Sequence, residues 1–253
     1  DVRVVVSAYN EQHRSDFRKT DILSFLNIAQ EFRFSTSVAC QLDHVDMTYH
    51  REMPEVRYDE GELKPLLEGG SEVLISIGSP RMSNVSEFFC RQLLSQSPVS
   101  LNFVWFDSRP SIESEYRLAS SDIDLPAKTL KSLQRAKDSG SILIVNDERF
   151  ICQPKAKGKF HSYAAVIVGR VGNHVVVSVS GLNGAATWAA SRCLGDIDLT
   201  NVIDRGTPTG AVVDAMMESR NGQSLLDPQC VTSQQVIMQI DGDVVLDHRE
   251  GAR

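Results

Sequence analysis

The apolar positions of the chain form short strand-like runs that are followed by segments with helical spacing. The pattern of residues 2–8 predicts a strand, and residues 15–32 carry apolar side chains at the spacing of a helix with one buried face. Residues 73–77 are short, apolar and bounded by turn residues, as strands buried on both faces of a parallel sheet are. A helical pattern follows at residues 85–94. The first half of the chain therefore predicts repeated β-then-α units.

The second half has a more antiparallel pattern. Two apolar strands, 164–168 and 174–179, are separated by a glycine-containing loop typical of a hairpin. Residues 236–240 and 244–246 flank an Asp-Gly turn and predict a terminal hairpin. Residues 211–218 are rich in helix formers, and we expect a helix there.

Together these patterns predict an α/β fold: a Rossmann-like, mostly parallel sheet flanked by helices, with antiparallel hairpins in the C-terminal half. A chain of 253 residues with 42% apolar residues can bury a sizeable core. We expect one domain over 1–253, which can also be divided into two Rossmann-like halves, 1–140 and 141–253.

Composition narrows the class of partner. The formal net charge is −7, with 33 acidic and 26 basic residues, which disfavours binding of nucleic acid by this chain alone or of an anionic membrane surface. Five cysteines without a Cys-x-x-Cys pair predict reduced thiols and a cytoplasmic location. No run of apolar residues is long enough for a membrane span. Because the chain opens at Asp1 directly into a strand, it reads as a domain excised from a longer protein.

Two strand-to-glycine-to-helix junctions are the strongest functional feature. One runs through Gly78 and the other through Gly181. In a parallel sheet such junctions lie at the carboxyl edge, where helix amino ends favour phosphate, carboxylate or ribose hydroxyl groups. Including two polar residues that follow the strand 101–106, the predicted ligand contacts are Gly78, Ser79, Asn84, Glu87, Asp107, Arg109, Gly181, Asn183, Gly184 and Thr187.

Each junction also has an ordinary structural explanation. Glycine, serine and asparagine are common where strands turn into helices, because turns and N-caps favour them. Neither junction is a complete G-x-G-x-x-G or phosphate-binding G-K-[ST] loop, so no cofactor is identified. Glu87 fits a capping box with Asn84 better than it fits a catalytic carboxylate.

Histidines offer weaker candidates. His44, Asp46 and His50 match no zinc-binding spacing, and we expect no metal site. His161, beside Tyr163, could act as an acid or base, although a hydrogen-bonded histidine at the start of a strand is the commoner case.

Three segments carry a resemblance to a known family. These are Ile77 through Asn84 and Glu87, the strand 166–170, and the block 181–190. They resemble the glycine-loop blocks of the Rossmann-like domain that follows a helix-turn-helix in some bacterial regulators. The resemblance implies a sensor or effector domain of unassigned ligand and supplies no catalytic residues. No DNA-binding segment is present in this sequence.

The leading hypothesis is a small-molecule binding or sensory domain that holds a nucleotide-like or other anionic ligand between Gly78 and Gly181. The alternative is a nucleoside or nucleotide N-glycosidic hydrolase or transferase that uses Glu87 or Asp107. A third hypothesis is an oligomerising module, such as a homodimer, marked by apolar surface on the hairpin 236–246.

Overall fold

A computed structural model gives the structure of the chain. It describes residues 2–9, 19–31, 40–47, 64–68, 73–80, 84–97, 99–106, 115–119, 141–155, 158–197, 206–218, 228–241 and 244–247. Its helices are α1 (Lys19–Glu31), α2 (Asn84–Leu94) and α3 (Gly184–Arg192). Its strands are β1 (Val2–Tyr9), β2 (Cys40–Met47), β3 (Val73–Ile77), β4 (Leu101–Phe106), β5 (Glu115–Ala119), β6 (Ser141–Val145), β7 (Glu148–Ile151), β8 (Gln153–Lys155), β9 (Lys159–Val171), β10 (His174–Gly181), β11 (Thr209–Glu218), β12 (Val231–Asp241) and β13 (Val244–Asp247).

The main sheet has nine strands. Eight of them follow the order β13-β12-β11-β9-β10-β3-β1-β2, and β8 pairs with one end of β9. The four strands β2, β1, β3 and β10 run parallel, whereas each remaining strand pairs antiparallel with its neighbour. A second, antiparallel sheet has the order β5-β4-β6-β7.

The prediction of a Rossmann-like sheet flanked by helices is therefore wrong. The fold is mostly β, and the described residues contain only three α-helices beside their thirteen strands. Only four strands of the main sheet are parallel, and the second sheet is wholly antiparallel. Most pairs of neighbouring strands in the described residues are thus antiparallel, and antiparallel strands do not require the helical crossovers that parallel strands need.

The predicted helix at 211–218 is part of β11. Burial there alternates, since Val213, Ala215 and Met217 are buried while Asp214 and Met216 are half-buried. This strand lies between β9 and β12 and pairs with both. Pairing on both sides outweighs the helix propensity of alanine and methionine, which is a weak preference.

Both predicted hairpins are confirmed. β9 and β10 pair antiparallel around Gly172, whose φ of +59° suits glycine in a tight turn. β12 and β13 also pair antiparallel. The expected helix at 15–32 is confirmed as α1, and a 3-10 helix lies at Lys64–Leu67.

The main sheet carries apolar cores on both faces. On one face α1 and α3 pack against strand residues such as Ile75 and Val177. On the other face α2 and the second sheet pack in a cluster with Leu74 and Val176. The molecule thus has a helical layer, the main sheet, and a mixed layer of α2 and the second sheet. Within the described residues, no helix is long and apolar enough to cross a membrane.

Candidate functional site

The two glycine junctions follow neighbouring strands. β3 and β10 are parallel, with Ile77 opposite Val179. At the end of β3, the amide of Gly78 donates a hydrogen bond to the carbonyl oxygen of Val179 at 3.1 Å. Both junctions therefore lie at the same carboxyl edge of the main sheet, where the sequence places them.

The helices that follow these junctions leave the edge on opposite faces. Phe88 and Phe89 of α2 belong to the same apolar cluster as Leu74, whereas Ala186 and Ala189 of α3 belong to the cluster of Ile75. Successive side chains of a strand point to opposite faces, so α2 and α3 lie on different sides of the sheet. Where neighbouring parallel strands send their helices to opposite faces, the carboxyl edge between them is left free to bind a ligand.

The first junction is built around Gly78. Its φ of +139° is a conformation that residues with a Cβ rarely adopt. Ser79 follows with 9% of its surface exposed, and Pro80 is buried. Asn84 is the first residue of α2, but its side chain, like residues 81–83, lies outside the described part of the chain.

Glu87 lies in the first turn of α2 and is buried. Only 3% of its side chain is exposed, and its Oε1 accepts hydrogen bonds from Nε and Nη2 of Arg91 at 2.9 and 2.8 Å. The two residues form an ion pair one helical turn apart. A carboxylate in the first turn is also stabilised by the positive end of the helix dipole. These contacts give Glu87 a structural role in which Arg91 neutralises its buried charge.

The second junction is closed by its own side chains. Thr187 Oγ1 accepts a hydrogen bond from the amide of Gly181 at 3.1 Å and donates one to the carbonyl oxygen of Asn183 at 3.1 Å. The Asn183 side chain accepts from the amide of Ala186 at 2.9 Å and caps α3, which begins at the half-buried Gly184. The side chains of Asn183 and Thr187 are thus hydrogen-bonded within the loop. A ligand that bound here would contact a loop whose hydrogen bonds are already formed.

A hydrogen-bonded pair lies just beyond the end of β10. The amide of Leu182 donates to the carbonyl oxygen of Tyr163, which places the start of β9 beside the Gly181 junction. There His161 Nδ1 lies 2.9 and 3.1 Å from the two carboxylate oxygens of Asp214, on the adjacent strand β11. The side chains are 14% and 15% exposed. The sequence indicated His161 but not its partner, because the two residues meet only through the pairing of β9 with β11.

Five small polar side chains form a buried seam between α2 and the main sheet, and the sequence reasoning missed it. We call the following residues the polar seam: Ser76 of β3, Ser178 and Ser180 of β10, and Ser86 and Cys90 of α2. All five are 0% exposed. The signal in the sequence is the serine at alternate positions of otherwise apolar strands, which puts each hydroxyl on one face.

The seam is internally hydrogen-bonded. Ser76 Oγ lies 3.1 Å from Ser86 Oγ, and Ser178 Oγ lies 2.9 Å from Ser180 Oγ. The Cys90 sulfur lies 3.0 and 3.2 Å from the hydroxyls of these last two serines. Burial raises the pKa of the Cys90 thiol to about 11, with partial compensation by the hydrogen bonds from Ser178 and Ser180. Cys90 is therefore a protonated, buried thiol of low reactivity.

Two of the predicted ligand contacts, and the residues considered for a metal site, belong to parts of the chain that the structure does not describe. Asp107 and Arg109 lie outside the described residues, as do His50 and the side chains of His44 and Asp46. Among the residues that are described, no group of three or more histidine, cysteine or acidic side chains could hold a metal ion.

Comparison with known proteins adds no relative. The chain matches no protein-family model, and no curated protein or solved structure is significantly similar to it. The resemblance to sensor domains of bacterial regulators stays a prediction.

Proposed function

We propose that this protein is a small-molecule binding domain whose ligand is anionic and nucleotide-like. The observation that supports the proposal is the placement of Gly78 beside Val179, which puts two strand-to-helix junctions at one edge while their helices leave on opposite faces. Such an edge lies near the amino ends of two helices, where an anionic ligand is favoured.

The first junction is the better half of this site. The amino end of α2 carries the positive end of the helix dipole, and Ser86 near that end lies 3.1 Å, Oγ to Oγ, from Ser76, two residues before Gly78. The second junction forms a wall of the site and donates no hydrogen bond through the amides of Gly181 and Ala186, because the side chains of Thr187 and Asn183 accept from these two amides. We assign the anionic group of the ligand to the Gly78 side.

The His161–Asp214 pair forms the polar boundary of the site beyond β10. A histidine held by a carboxylate through Nδ1 presents Nε2 as its second hydrogen-bonding atom. In the neutral ring this atom would accept a hydrogen bond from a sugar hydroxyl, whereas in the protonated ring it would donate one to a phosphate oxygen. A sensory role follows if occupancy changes the packing of α2, which starts at the site.

The N-glycosidic enzyme has less support in the described residues. Its candidate carboxylate at Glu87 is buried and paired with Arg91 at 2.8 Å, so it is not free to act on a substrate. The other candidate, Asp107, lies outside the described residues.

Calorimetric titration with nucleoside monophosphates and sugar phosphates tests the proposal. The variant Ser79→Asp places a negative charge at the first junction, whereas Ser95→Asp places the same charge just past the other end of α2, where Ser95 is exposed. We expect Ser79→Asp to weaken binding at least about tenfold through charge repulsion, and Ser95→Asp to leave it unchanged. Thermal unfolding of both variants checks that they fold. Equal affinities for the two variants, or no binding of any anionic probe, would overturn the proposal.

A further inference from the structure

The main sheet ends at β13. This strand pairs with β12, and within the part of the chain that the structure describes no strand lies on its other side. The last strand of a sheet carries a row of backbone N–H and C=O groups along its outer side, and these groups can pair with another strand. The main sheet can therefore be extended at β13.

β13 lacks the features that commonly keep an edge strand from pairing. It contains neither lysine nor proline, and its pairing with β12 is regular. The part of β12 that β13 does not cover, 231–237, has two register shifts against β11, and such bulges twist an edge away from a partner. The strand at the other end of the sheet, β2, includes Asp43 and Asp46, and charged residues disfavour pairing of an edge. Among these edges, β13 is the one best suited to pairing.

Leu246 adds an exposed apolar side chain to this edge. Half of its surface is exposed, and among the described residues only Leu26 is a comparably exposed large apolar residue. Val245 packs against the apolar cluster on the α2 side of the sheet. Successive side chains of a strand alternate, so Leu246 lies on the side of α1 and α3. A partner that adds a strand here and covers Leu246 would satisfy both features.

We propose that β13 pairs antiparallel with β13 of a second copy of the chain, so that two main sheets become one continuous sheet. Residues that lie opposite each other in an antiparallel pair share a face of the sheet. A register centred on Leu246 therefore places this leucine against Leu246 of the second copy, and each leucine covers the other. Asp247 then lies opposite Val245, so no two carboxylates of β13 face each other. The strand thus complements itself in shape and in charge.

Pairing between like edges also sets the size of the assembly. Two β13 strands related by a two-fold axis form a closed dimer, whereas pairing of β13 with β2 would join unlike edges and produce open filaments. Four paired residues on each chain cover less than the roughly 1,200 to 2,000 Å² of a stable interface. We therefore expect a weak, reversible dimer. Its formation involves no ligand, so the dimer does not depend on the proposed function.

Sedimentation equilibrium between about 5 and 500 µM chain measures the dimer, which should accumulate within this range. Leu246→Glu places two carboxylates against each other and should raise the dissociation constant at least about tenfold. Leu26→Glu is the control, because Leu26 is 53% exposed but lies on α1. This control should leave the dissociation constant unchanged. Thermal unfolding of both variants checks that they fold.

Disulfide cross-linking locates the contact. In the register centred on Leu246, the two Cα atoms lie about 4.5 to 5.5 Å apart, within the span of a disulfide. Leu246→Cys should therefore form a linked dimer on oxidation by diamide at least about tenfold faster than Leu26→Cys. The described free cysteines are buried and are the same in both variants: Cys90, Cys152, Cys193 and Cys230.

Several outcomes would overturn the proposal. A chain that stays monomeric at about 500 µM would do so and would leave the β13 edge to a strand from a different protein. A mass that grows beyond the dimer would show head-to-tail pairing instead. Equal effects of the two glutamate changes, or equal rates of cross-linking at residues 246 and 26, would place the contact elsewhere.

Discussion

The amide of Gly181 donates a hydrogen bond to the side-chain oxygen of Thr187 at 3.1 Å, inside the same loop. A Cβ on Gly181 would lie 2.5 Å from the backbone nitrogen of Thr187 and 2.6 Å from its Oγ1. Glycine is required here because the backbone approaches itself closely, with no need for an unusual φ. The junction that looked like a ligand loop in the sequence is also a compact helix cap.

Gly181→Ala should destabilise the fold strongly, because the added methyl meets rigid backbone. We expect a loss of about 2 to 4 kcal/mol in the free energy of unfolding, measured by urea denaturation. Gly172→Ala is the control: its φ is +59° but nothing lies within 4 Å of the added Cβ. That change should cost only about 1 kcal/mol, from the left-handed backbone alone. Equal losses would show that the close approach at Gly181 is unimportant.

Thr187→Val removes the hydroxyl but keeps the shape of the side chain. The buried amide of Gly181 then loses its acceptor, and we expect a loss of about 1 to 3 kcal/mol in unfolding free energy. Thr187→Ser keeps the hydroxyl and should cost about 1 kcal/mol or less, from the missing methyl. A valine variant as stable as the unchanged protein would contradict this account of the junction.

The polar seam makes stability depend on alkaline pH. The pKa of Cys90 is about 11 in the folded protein against 9.0 for a free thiol, so between these values only the unfolded chain loses the proton. Stability from this group is complete below pH 9 and falls as pH rises toward 11, by up to about 1.4 kcal/mol per pH unit.

Cys90→Ser isolates this contribution, since serine keeps a hydrogen-bonding group but does not titrate in this range. Urea denaturation at pH 8, 9 and 10 should therefore show a shallower loss of stability for the serine variant than for the unchanged protein. Burial also raises the pKa of Cys193 to about 11, so Cys193→Ser should change the slope in the same direction. Parallel pH profiles for Cys90→Ser and the unchanged protein would contradict the assignment.

His161 and Asp214 should be energetically coupled. Their closest contact is 2.9 Å, and both side chains are mostly shielded from water. A double-mutant cycle with His161→Gln and Asp214→Asn should give a coupling energy of about 1 kcal/mol or more, measured by urea denaturation at pH 6. Additive effects of the two changes would mean that the pair contributes nothing beyond its separate residues.

Local patterns in the sequence predicted many of the elements but not their arrangement. The strands at Val73–Ile77 and His174–Gly181 follow from short apolar runs, and both hairpins follow from their turn residues. The prediction of a Rossmann-like fold was wrong, because the pairing of β9 with β11 depends on contacts between residues far apart in sequence. The helix predicted at 211–218 was wrong for the same reason. This segment forms a strand because it pairs with β9 on one side and with β12 on the other.

The candidate site was predictable in position and not in detail. Glycines after two buried strands indicated the carboxyl edge, and the pairing of β3 with β10 brings those ends together. The partner of His161 could not be predicted from the sequence, because Asp214 lies 53 residues away and contacts His161 only through the pairing of β9 with β11. For Asn183 the sequence allowed two roles, a ligand contact and a helix N-cap, and the structure shows the cap.

Backbone amide chemical shifts, recorded by NMR during titration with adenosine monophosphate and ribose 5-phosphate, test the central claim most directly. We expect saturable shifts to appear first at Gly78, Ser79 and the first turn of α2, with smaller shifts near His161. Saturable shifts confined to the hairpin of β12 and β13, at the far side of the main sheet, would contradict a ligand site at the junction of β3 and β10.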